Sequence, residues 1–288
     1  MEGAFAAAGL TRHEAVGRMA EALAPLYDAR EARTIARTVL AELEGVPLPA
    51  LLADPAAPVR SGELEAVTAR LSAGCPLQYV VGGAWFCGRR FAVREGVLIP
   101  RPETEELTAW VLDAEHDSRA LLDVGTGSGC IAATLALALP DARVFAADLS
   151  EEALAVAAEN FRTLGAAVTL RRADALTNLA EVFPEPMDAL VSNPPYVPQR
   201  DLATMHTNVR DHEPHRALFV PDDDPLLFYR AIARAGRRML RPGGRLYFEI
   251  YHLYADYMRR MLASEGYTAT EVREDLFGKP RMVCSRMA

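Results

Sequence analysis

The second half of the chain alternates short apolar runs with amphipathic segments. The apolar runs have the length and composition of buried strands, and the amphipathic segments space their apolar residues as helices do. Strands are predicted near residues 120–124, 143–148, 167–171, 188–193 and 244–250, and helices near 129–138, 151–164 and 224–240. Such alternation predicts an α/β fold with a doubly wound, mostly parallel sheet. The last two predicted strands lie near residues 269–275 and 281–285. Because the connection between them is short, we expect them to pair antiparallel.

The first 75 residues carry helical patterns instead. Thr11 to Glu14 has the form of a capping box, which marks a helix start. The apolar residues that follow at helical spacing are Val16, Met19, Ala20 and Leu23. A second helix is predicted from Asp28 to Gly45, and a third from about Ser61 to Ala73. We therefore expect a helical bundle over residues 1–75, which is either a module that recognises a partner or a structural cap.

A β-hairpin is predicted between Gln78 and Val93, where Val, Tyr, Trp and Phe are frequent and glycines break the run. Within residues 76–98 it would link the bundle to a main domain over residues 99–288. At the start of that domain Arg101 lies between two prolines and Glu103 opens an acidic helix start. Both side chains are candidates for the mouth of a site, or they belong only to a loop and a helix start.

A glycine-rich loop follows the strand that ends at Val124. Its sequence is Gly125-Thr126-Gly127-Ser128-Gly129, and a helix pattern begins directly after it. Alternate glycines let the backbone approach a ligand closely at a helix N-terminus. The G-x-G-x-x-G fingerprint of pyrophosphate binding is not matched, so the loop favours an adenosyl ligand without phosphates. Asp148 ends the next strand, where its carboxylate is placed to accept hydrogen bonds from both ribose hydroxyls.

The strand near 188–193 ends in Asn193-Pro194-Pro195-Tyr196. Asn193 precedes a proline and must leave the helical region, and the two prolines lack the N–H groups that strand pairing needs. The result is a rigid polar tip at the carboxyl end of a strand, where ligands bind in open α/β sheets. Taken alone, an ordinary strand-terminating turn explains it equally well. Together with the glycine loop and Asp148, it predicts an active site.

This order of motifs resembles the class I S-adenosylmethionine-dependent methyltransferases. The flanking sequences VLIPRPETE at 97–105, VSNPPYV at 191–197 and EPHRAL at 213–218 are similar to those of the peptide-chain release factor glutamine methyltransferases. The resemblance runs from about Gly74 to the C-terminus. It implies a seven-stranded class I methyltransferase sheet, S-adenosyl-L-methionine as cofactor, and transfer of its methyl group to the N5 amide nitrogen of a release-factor glutamine.

The resemblance also implies roles for individual residues. The cofactor would contact Gly125, Thr126, Gly127, Ser128, Gly129, Asp148, Asp174, Ala175 and Asn193. Catalysis would fall to Asn193, Pro194 and Tyr196, and substrate binding to these three with Pro195, Arg101 and Glu103. The Asn193 side-chain oxygen and the Pro194 carbonyl can each accept one amide N–H of the glutamine, while the Tyr196 ring packs on the planar amide.

Two departures from the family pattern change these expectations. The sequence Glu249-Ile250-Tyr251, with Tyr254 after it, stands where the family usually has Glu-Ile-Gly and a Gln, so we expect the departure to affect the local shape after that strand and not the fold. Ala175 follows Asp174 at a position that is often aromatic, so stacking on the adenine must be weaker or come from elsewhere.

Two other functions remain open. One is an amino-methyltransferase acting on adenine N6 or guanine N2 of nucleic acid, because similar tips occur there, and the other is a non-catalytic protein that binds an adenosyl ligand. The net charge of −8 argues against binding nucleic-acid phosphates. The polar segment from Pro198 to Leu218 reads as irregular and is a candidate substrate-binding lid.

Composition and spacing argue against several other kinds of site. Pro214 prevents His212 and His215 from sharing one helical turn and no third ligand is evident, so we expect no metal. The four cysteines lack a C-x-x-C pair, and no apolar stretch has membrane-spanning length. We expect a cytoplasmic monomer that binds release factors and neither nucleic acid nor membranes.

Overall fold

A computed structural model of the protein describes residues 9–60 and 62–288. The described chain falls into two compact units. The helical unit comprises the residues up to Gly83 together with His206–His212, and the sheet unit comprises Ala84–Met205 and Glu213–Ala288. Residues 1–8 of the predicted bundle lie outside the described residues, and so does Ser61. Among the described helices, none combines the length and apolar character that crossing a membrane requires.

The element bounds follow the predicted alternation closely. The helices are α1 Arg12–Leu23, α2 Ala29–Glu44, α3 Leu48–Ala53, α4 Leu64–Ser72, α5 Leu77–Val80, α6 Pro102–Ala114, α7 Cys130–Ala138, α8 Glu151–Leu164, α9 Leu179–Val182, α10 Thr207–His212, α11 His215–Leu218, α12 Leu227–Met239 and α13 Ala255–Ser264. The strands are β1 Gly83–Phe86, β2 Arg89–Ala92, β3 Ala120–Val124, β4 Arg143–Asp148, β5 Val168–Arg172, β6 Met187–Ser192, β7 Val197–Pro198, β8 Phe219–Val220, β9 Leu240–Glu249, β10 Tyr267–Glu274 and β11 Pro280–Met287. Short 3-10 helices cover Gln199–Thr204 and His252–Tyr254.

The predicted start of α1 and both predicted ends of α2 are confirmed. Thr11 and Glu14 form the capping box of α1, each side chain bonding to the other's backbone N–H. Asp28 caps α2, which ends at Gly45 with a left-handed φ of 64°. The core contains side chains from three helices, namely Met19, Leu23, Val39, Leu40 and Leu71. The helix predicted from Ser61 begins only at Leu64, because a turn at Gly62 and Glu63 precedes it and glycine is a poor helix former.

The hairpin prediction is wrong at its start. Leu77–Val80 is a helical turn, which Pro76 initiates with its fixed φ. The hairpin itself covers Gly83 to Ala92, and its Phe86 and Phe91 side chains are fully buried. Their rings pack edge to face with centroids 6.0 Å apart and belong to a hydrophobic core cluster of the sheet unit. Strand β2 is therefore part of that unit.

The central sheet has the order β10-β11-β9-β6-β3-β4-β5. Strands β9, β6, β3, β4 and β5 are parallel to one another. At one edge β11 pairs antiparallel with β9, and β10 pairs antiparallel with β11, as predicted for the last two strands. Helix α13 was not predicted, although its buried residues Met258, Met261 and Leu262 have helical spacing.

The ends of β3 and β6 lie level with each other. Val124 pairs with Ser192 in the parallel register, and the Ser192 hydroxyl donates to the Val124 carbonyl at 2.6 Å. The glycine loop and the Asn193 turn therefore start side by side at the carboxyl edge of the sheet.

The polarity of the segment from Pro198 to Leu218 predicted irregular structure, and this prediction is wrong. The segment contains a 3-10 helix, α10 and α11. Helix α10 belongs to the helical unit. There the Asn208 amide donates to the Tyr27 hydroxyl, and the His206 ring stacks on Tyr27 with centroids 6.1 Å apart. These contacts are far apart in sequence, which is why the segment reads as unstructured. A lid function for it stays a prediction.

Candidate active site

The glycine loop turns sharply because three of its residues have left-handed backbone. The φ angles are 74° at Gly125, 55° at Gly127 and 80° at Gly129. A Cβ at Gly125 or Gly127 would meet nothing within 4 Å, whereas a Cβ at Gly129 would lie 2.5 Å from Phe161 Cε1. The first two glycines therefore leave open space in front of the loop. Gly129 instead allows α7 to pack closely on α8.

Asp123 supports the loop from beneath. Its Oδ2 accepts hydrogen bonds from the Thr126 hydroxyl at 2.6 Å and from the Ala132 N–H at 3.2 Å. The side chain is fully buried, and burial raises the pKa of the carboxyl to about 7. Its Oδ1 has no hydrogen-bond partner among the described residues. Asp123 thus fixes the loop and the first turn of α7 together.

Asp148 at the end of β4 closes the other side of the loop. One carboxylate oxygen accepts from the Gly127 N–H and the other from the Ser150 N–H, both at 2.9 Å. Burial raises the pKa of Asp148. Each oxygen keeps a further lone pair, so the carboxylate can still accept hydrogen bonds from a ligand.

The Asn193 turn is held by a hydrogen-bonded chain of side chains. Asn193 Nδ2 donates to Thr104 Oγ1 at 3.1 Å, and the Thr104 hydroxyl donates to Glu249 Oε2 at 2.6 Å. The Tyr196 hydroxyl donates to the other oxygen, Glu249 Oε1, at 2.9 Å. Helix α6, the tip after β6 and the end of β9 are thereby connected. Sequence reasoning missed Thr104 in this role and saw Glu249 only as part of a motif.

A second connection joins the two sequence motifs that flank the site. Glu213 is buried, and its carboxylate accepts from the Ile99 N–H and from the Arg101 guanidinium, with which it forms an ion pair. About a third of the Arg101 side chain is exposed. Arg101 is thus fixed at the pocket, and Glu213 is the partner that the sequence did not reveal.

One pocket of the sheet unit collects most of the predicted site. The predicted residues that line it are Arg101, Gly125, Thr126, Gly127, Ser128, Asp148, Asp174, Ala175, Asn193, Pro194 and Pro195. Three predicted site residues, Glu103, Gly129 and Tyr196, are not among the described residues that line this pocket. Tyr196 instead points its hydroxyl at Glu249, which keeps its ring beside the tip. Lining residues that the sequence did not suggest include Thr104, Leu149, Leu176 and Arg216.

An adenosyl nucleoside suits this lining. The open space at Gly125 and Gly127 admits a ligand against the backbone, and Asp148 offers acceptors for ribose hydroxyls. Besides Ala175, the aliphatic side chains of Leu149, Ala173 and Leu176 line the pocket, and Phe228 is an aromatic lining residue. These side chains provide apolar surface for a base.

The departure at Tyr251 has a local structural consequence. After β9 the chain enters a 3-10 helix, and the Tyr251 hydroxyl donates to Asp201 Oδ2 at 2.9 Å. Its ring lies 6.3 Å from that of Tyr196. The tyrosine therefore adds an aromatic wall behind the tip, where glycine would leave none.

Comparisons with known proteins identify relatives over most of the chain. A family model described as the methyltransferase small domain matches residues 104–212. The release factor glutamine methyltransferase of Bacteroides thetaiotaomicron is 52% identical over 77% of this chain and 79% of that protein. Those of Chlorobaculum tepidum and Flavobacterium psychrophilum are 44% and 37% identical, over 85% and 91% of this chain and 87% and 94% of theirs.

Solved structures share the fold at low sequence identity. The hMettl16 catalytic domain in complex with the MAT2A 3'UTR hairpin 6 has a TM-score of 0.56 and 16% identity, covering 77% of this chain and 82% of that chain. The T. thermophilus 16S rRNA N2 G1207 methyltransferase RsmC, in complex with AdoMet and guanosine, has a TM-score of 0.52 and 15% identity, covering 72% and 50%. At these identities the likeness concerns the fold alone.

Proposed function

The chain belongs to the family of release factor glutamine methyltransferases, and we propose that it methylates the side-chain amide nitrogen of a glutamine in a peptide-chain release factor, with S-adenosyl-L-methionine as methyl donor. The observation that carries this proposal is the level ending of β3 and β6. It sets the glycine loop beside the Asn193 tip at one sheet edge. In this proposal the loop is the donor site and the tip is the acceptor site, so the two sites are adjacent.

In this proposal the cofactor occupies the pocket between the glycine loop and Asp148. Backbone N–H groups of the loop and the two oxygens of Asp148 hold its polar groups, while Leu149, Ala173 and Leu176 cover its base. When bound, S-adenosylmethionine would supply a methyl carbon activated by a sulfonium sulfur, with S-adenosyl-L-homocysteine as the leaving product. Every other requirement of the reaction concerns the acceptor nitrogen and falls to the protein.

The acceptor nitrogen needs orientation rather than a strong base. The lone pair of an amide nitrogen is shared with its carbonyl, so the NH₂ group must be held with that pair aimed at the methyl carbon. Asn193 Oδ1 and the Pro194 carbonyl each accept one N–H of the glutamine, and both residues line the pocket. Two fixed acceptors also stabilise the positive charge that develops on nitrogen. The released proton passes to water.

The aromatic side chains behind the tip complete the acceptor site. Tyr196 packs its ring against the planar amide in this proposal, and its hydroxyl is anchored on Glu249 at 2.9 Å. Arg101 lines the same pocket and is anchored on Glu213, which suits it to contact a carbonyl of the substrate.

We further assign recognition of the release factor to the helical unit. It has a core of its own, so it can present a docking surface independently of the chemistry. The proposed substrate places the enzyme in the cytoplasm, where translation terminates.

One labelling experiment tests the proposal against its rival. The protein is incubated with methyl-labelled S-adenosylmethionine and either purified release factor or total RNA and DNA. Label on a release-factor glutamine, located by mass spectrometry, is the expected result. Label on adenine or guanine instead would establish the nucleic-acid alternative, and label on neither substrate would leave the acceptor proposal without support.

A further inference from the structure

We propose that Glu249, acting through Thr104, fixes which end of the Asn193 amide faces the acceptor. Asn193 orients the glutamine only if its oxygen, and not its NH₂ group, points into the pocket. The two orientations have nearly the same shape, so packing alone discriminates poorly between them. The hydrogen-bonded chain behind Asn193 makes the choice. This inference rests on the proposed function, since it concerns how that reaction is oriented.

Counting protons along the chain gives a single arrangement. In the ionised state, which the hydrogen bonds from Thr104 and Tyr196 and the charge of Arg281 favour, the Glu249 carboxylate has acceptors only, and it receives the Tyr196 hydroxyl on one oxygen and the Thr104 hydroxyl on the other. Thr104 has one proton, and at 2.6 Å that proton is committed to Glu249. Toward Asn193, Thr104 therefore presents a lone pair. The group that meets it at 3.1 Å must be the Asn193 NH₂, which turns the oxygen toward the pocket.

Burial protects these hydrogen bonds from water but opposes the ionised state of Glu249. Glu249 is 1% exposed and Thr104 3%, so bulk water does not compete for their hydrogen bonds. Burial raises the pKa of Glu249, whereas the hydrogen bonds from Thr104 and Tyr196 and the positive charge of Arg281 oppose that shift. Glu249 also anchors β9 independently, because its backbone carbonyl accepts the Tyr229 hydroxyl at 3.0 Å. The carboxylate and the carbonyl of one residue thus have separable roles.

The substitution Glu249→Gln reverses the chain with little change in volume. Tyr196 still donates, now to the glutamine oxygen, which leaves the new NH₂ group facing Thr104. Thr104 then accepts from position 249, and its own proton is released toward Asn193. The Asn193 amide turns over and presents NH₂ to the substrate NH₂. We expect kcat for release-factor methylation to fall about 10²-fold, as for the loss of one preorganised polar partner, with unchanged affinity for S-adenosylmethionine.

Three controls separate positioning from general damage. Tyr229→Phe removes only the hydrogen bond to the Glu249 backbone carbonyl and should keep kcat. Thr104→Ser keeps the hydroxyl and should keep most of the activity, whereas Thr104→Val should reproduce the loss. The serine and valine pair also decides the matter if the glutamine variant does not fold. A glutamine variant with wild-type kcat, or equal activity of the serine and valine variants, would overturn the proposal.

A measurement without substrate keeps the proposal distinct from the proposed function. Selective ¹⁵N labelling of asparagine side chains gives an Asn193 amide signal, assigned by its loss in Asn193→Asp. We expect Glu249→Gln to shift this signal and Tyr229→Phe to leave it nearly unchanged. An unshifted signal in Glu249→Gln contradicts the proposal. If the wild type methylates no release factor while the signal shifts as expected, the proposed function fails and the positioning role of Glu249 stands.

Discussion

The Asp148 carboxylate accepts a hydrogen bond of 2.9 Å from the backbone N–H of Gly127. The acid at the end of β4 thereby holds the middle of the loop that follows β3. Because the same carboxylate is the proposed acceptor for the ribose, the shape of the loop and the grip on the ligand depend on one side chain.

Replacing Asp148 by alanine is expected to weaken binding of S-adenosylmethionine by roughly 1–3 kcal/mol, because the loop N–H and the ribose hydroxyls lose their acceptor. Isothermal titration calorimetry measures this directly. Asp148→Asn keeps one acceptor and should fall between alanine and wild type. An unchanged dissociation constant in the alanine variant would remove Asp148 from the site.

Alanine at Gly129 should destabilise the fold more than alanine at Gly165. Both glycines have left-handed backbone, with φ of 80° and 69°, but only Gly129 faces a neighbour, the ring of Phe161. We expect about 1 kcal/mol from the backbone at Gly165 and roughly 2–4 kcal/mol at Gly129, where overpacking adds to it. Urea denaturation of the two variants provides the comparison. Equal losses would mean that α8 shifts freely.

The Asn193→Ala variant should lower kcat by ~10²–10³, since one of two acceptors for the substrate amide is lost. Single-turnover methylation of release factor, with cofactor affinity measured in parallel, isolates the chemical step. Asn193→Asp keeps an acceptor and should retain part of the activity. Wild-type turnover in the alanine variant would refute the proposed orientation of the glutamine.

Asp123 should make the unfolding free energy depend on pH. The pKa of its carboxyl is about 7 in the folded chain against an ordinary 3.8, so between these values the folded state binds a proton that the unfolded state has lost. Stability from this group therefore falls as pH rises from about 4 to 7. In Asp123→Asn this loss is absent. The free energy of unfolding of the variant, minus that of wild type, should rise by roughly 2–3 kcal/mol between pH 5 and pH 8.

Removing residues 1–83 should separate recognition from cofactor binding. The cut follows the boundary of the helical unit, and His206–His212 of that unit is replaced by a short glycine-serine linker so that no former partner is left behind. We expect unchanged affinity for S-adenosylmethionine and a large drop in kcat/KM for release factor. Full kcat/KM in the shortened, folded protein would reduce the helical unit to a structural cap.

The parts of the site that sequence predicts are those whose chemistry is local. The glycine loop is followed directly by its helix, and Asn193 and its two prolines are consecutive, so neighbouring residues in the sequence are enough to place them. Asp148 ends a strand whose apolar run is evident. Each was predicted to stand at the carboxyl end of a strand, and each does: the loop follows β3, Asp148 ends β4 and Asn193 follows β6.

The parts that sequence does not predict depend on partners far along the chain. Thr104 meets Glu249 across 145 positions, and Arg101 meets Glu213 across 112. Periodicity carries no information about which distant polar groups satisfy each other. Helix α13 is a different case, because Met258, Met261 and Leu262 have helical spacing, and that local pattern is enough to predict the helix.

In the strand order β9-β6-β3-β4, the residues proposed to hold the donor and those proposed to orient the acceptor lie on opposite sides of the β6–β3 pair. Most of what is proposed to hold the donor stands on β3, β4, β5 and the loops that follow them. Everything proposed to orient the acceptor stands on β6, β9 and α6. The two sets meet along the pairing of β3 with β6, which ends where Ser192 bonds to Val124. The residues that hold the donor can therefore stay unchanged while those that orient the acceptor are replaced. To methylate another planar nitrogen, an engineered variant needs changes only on β6, β9 and α6.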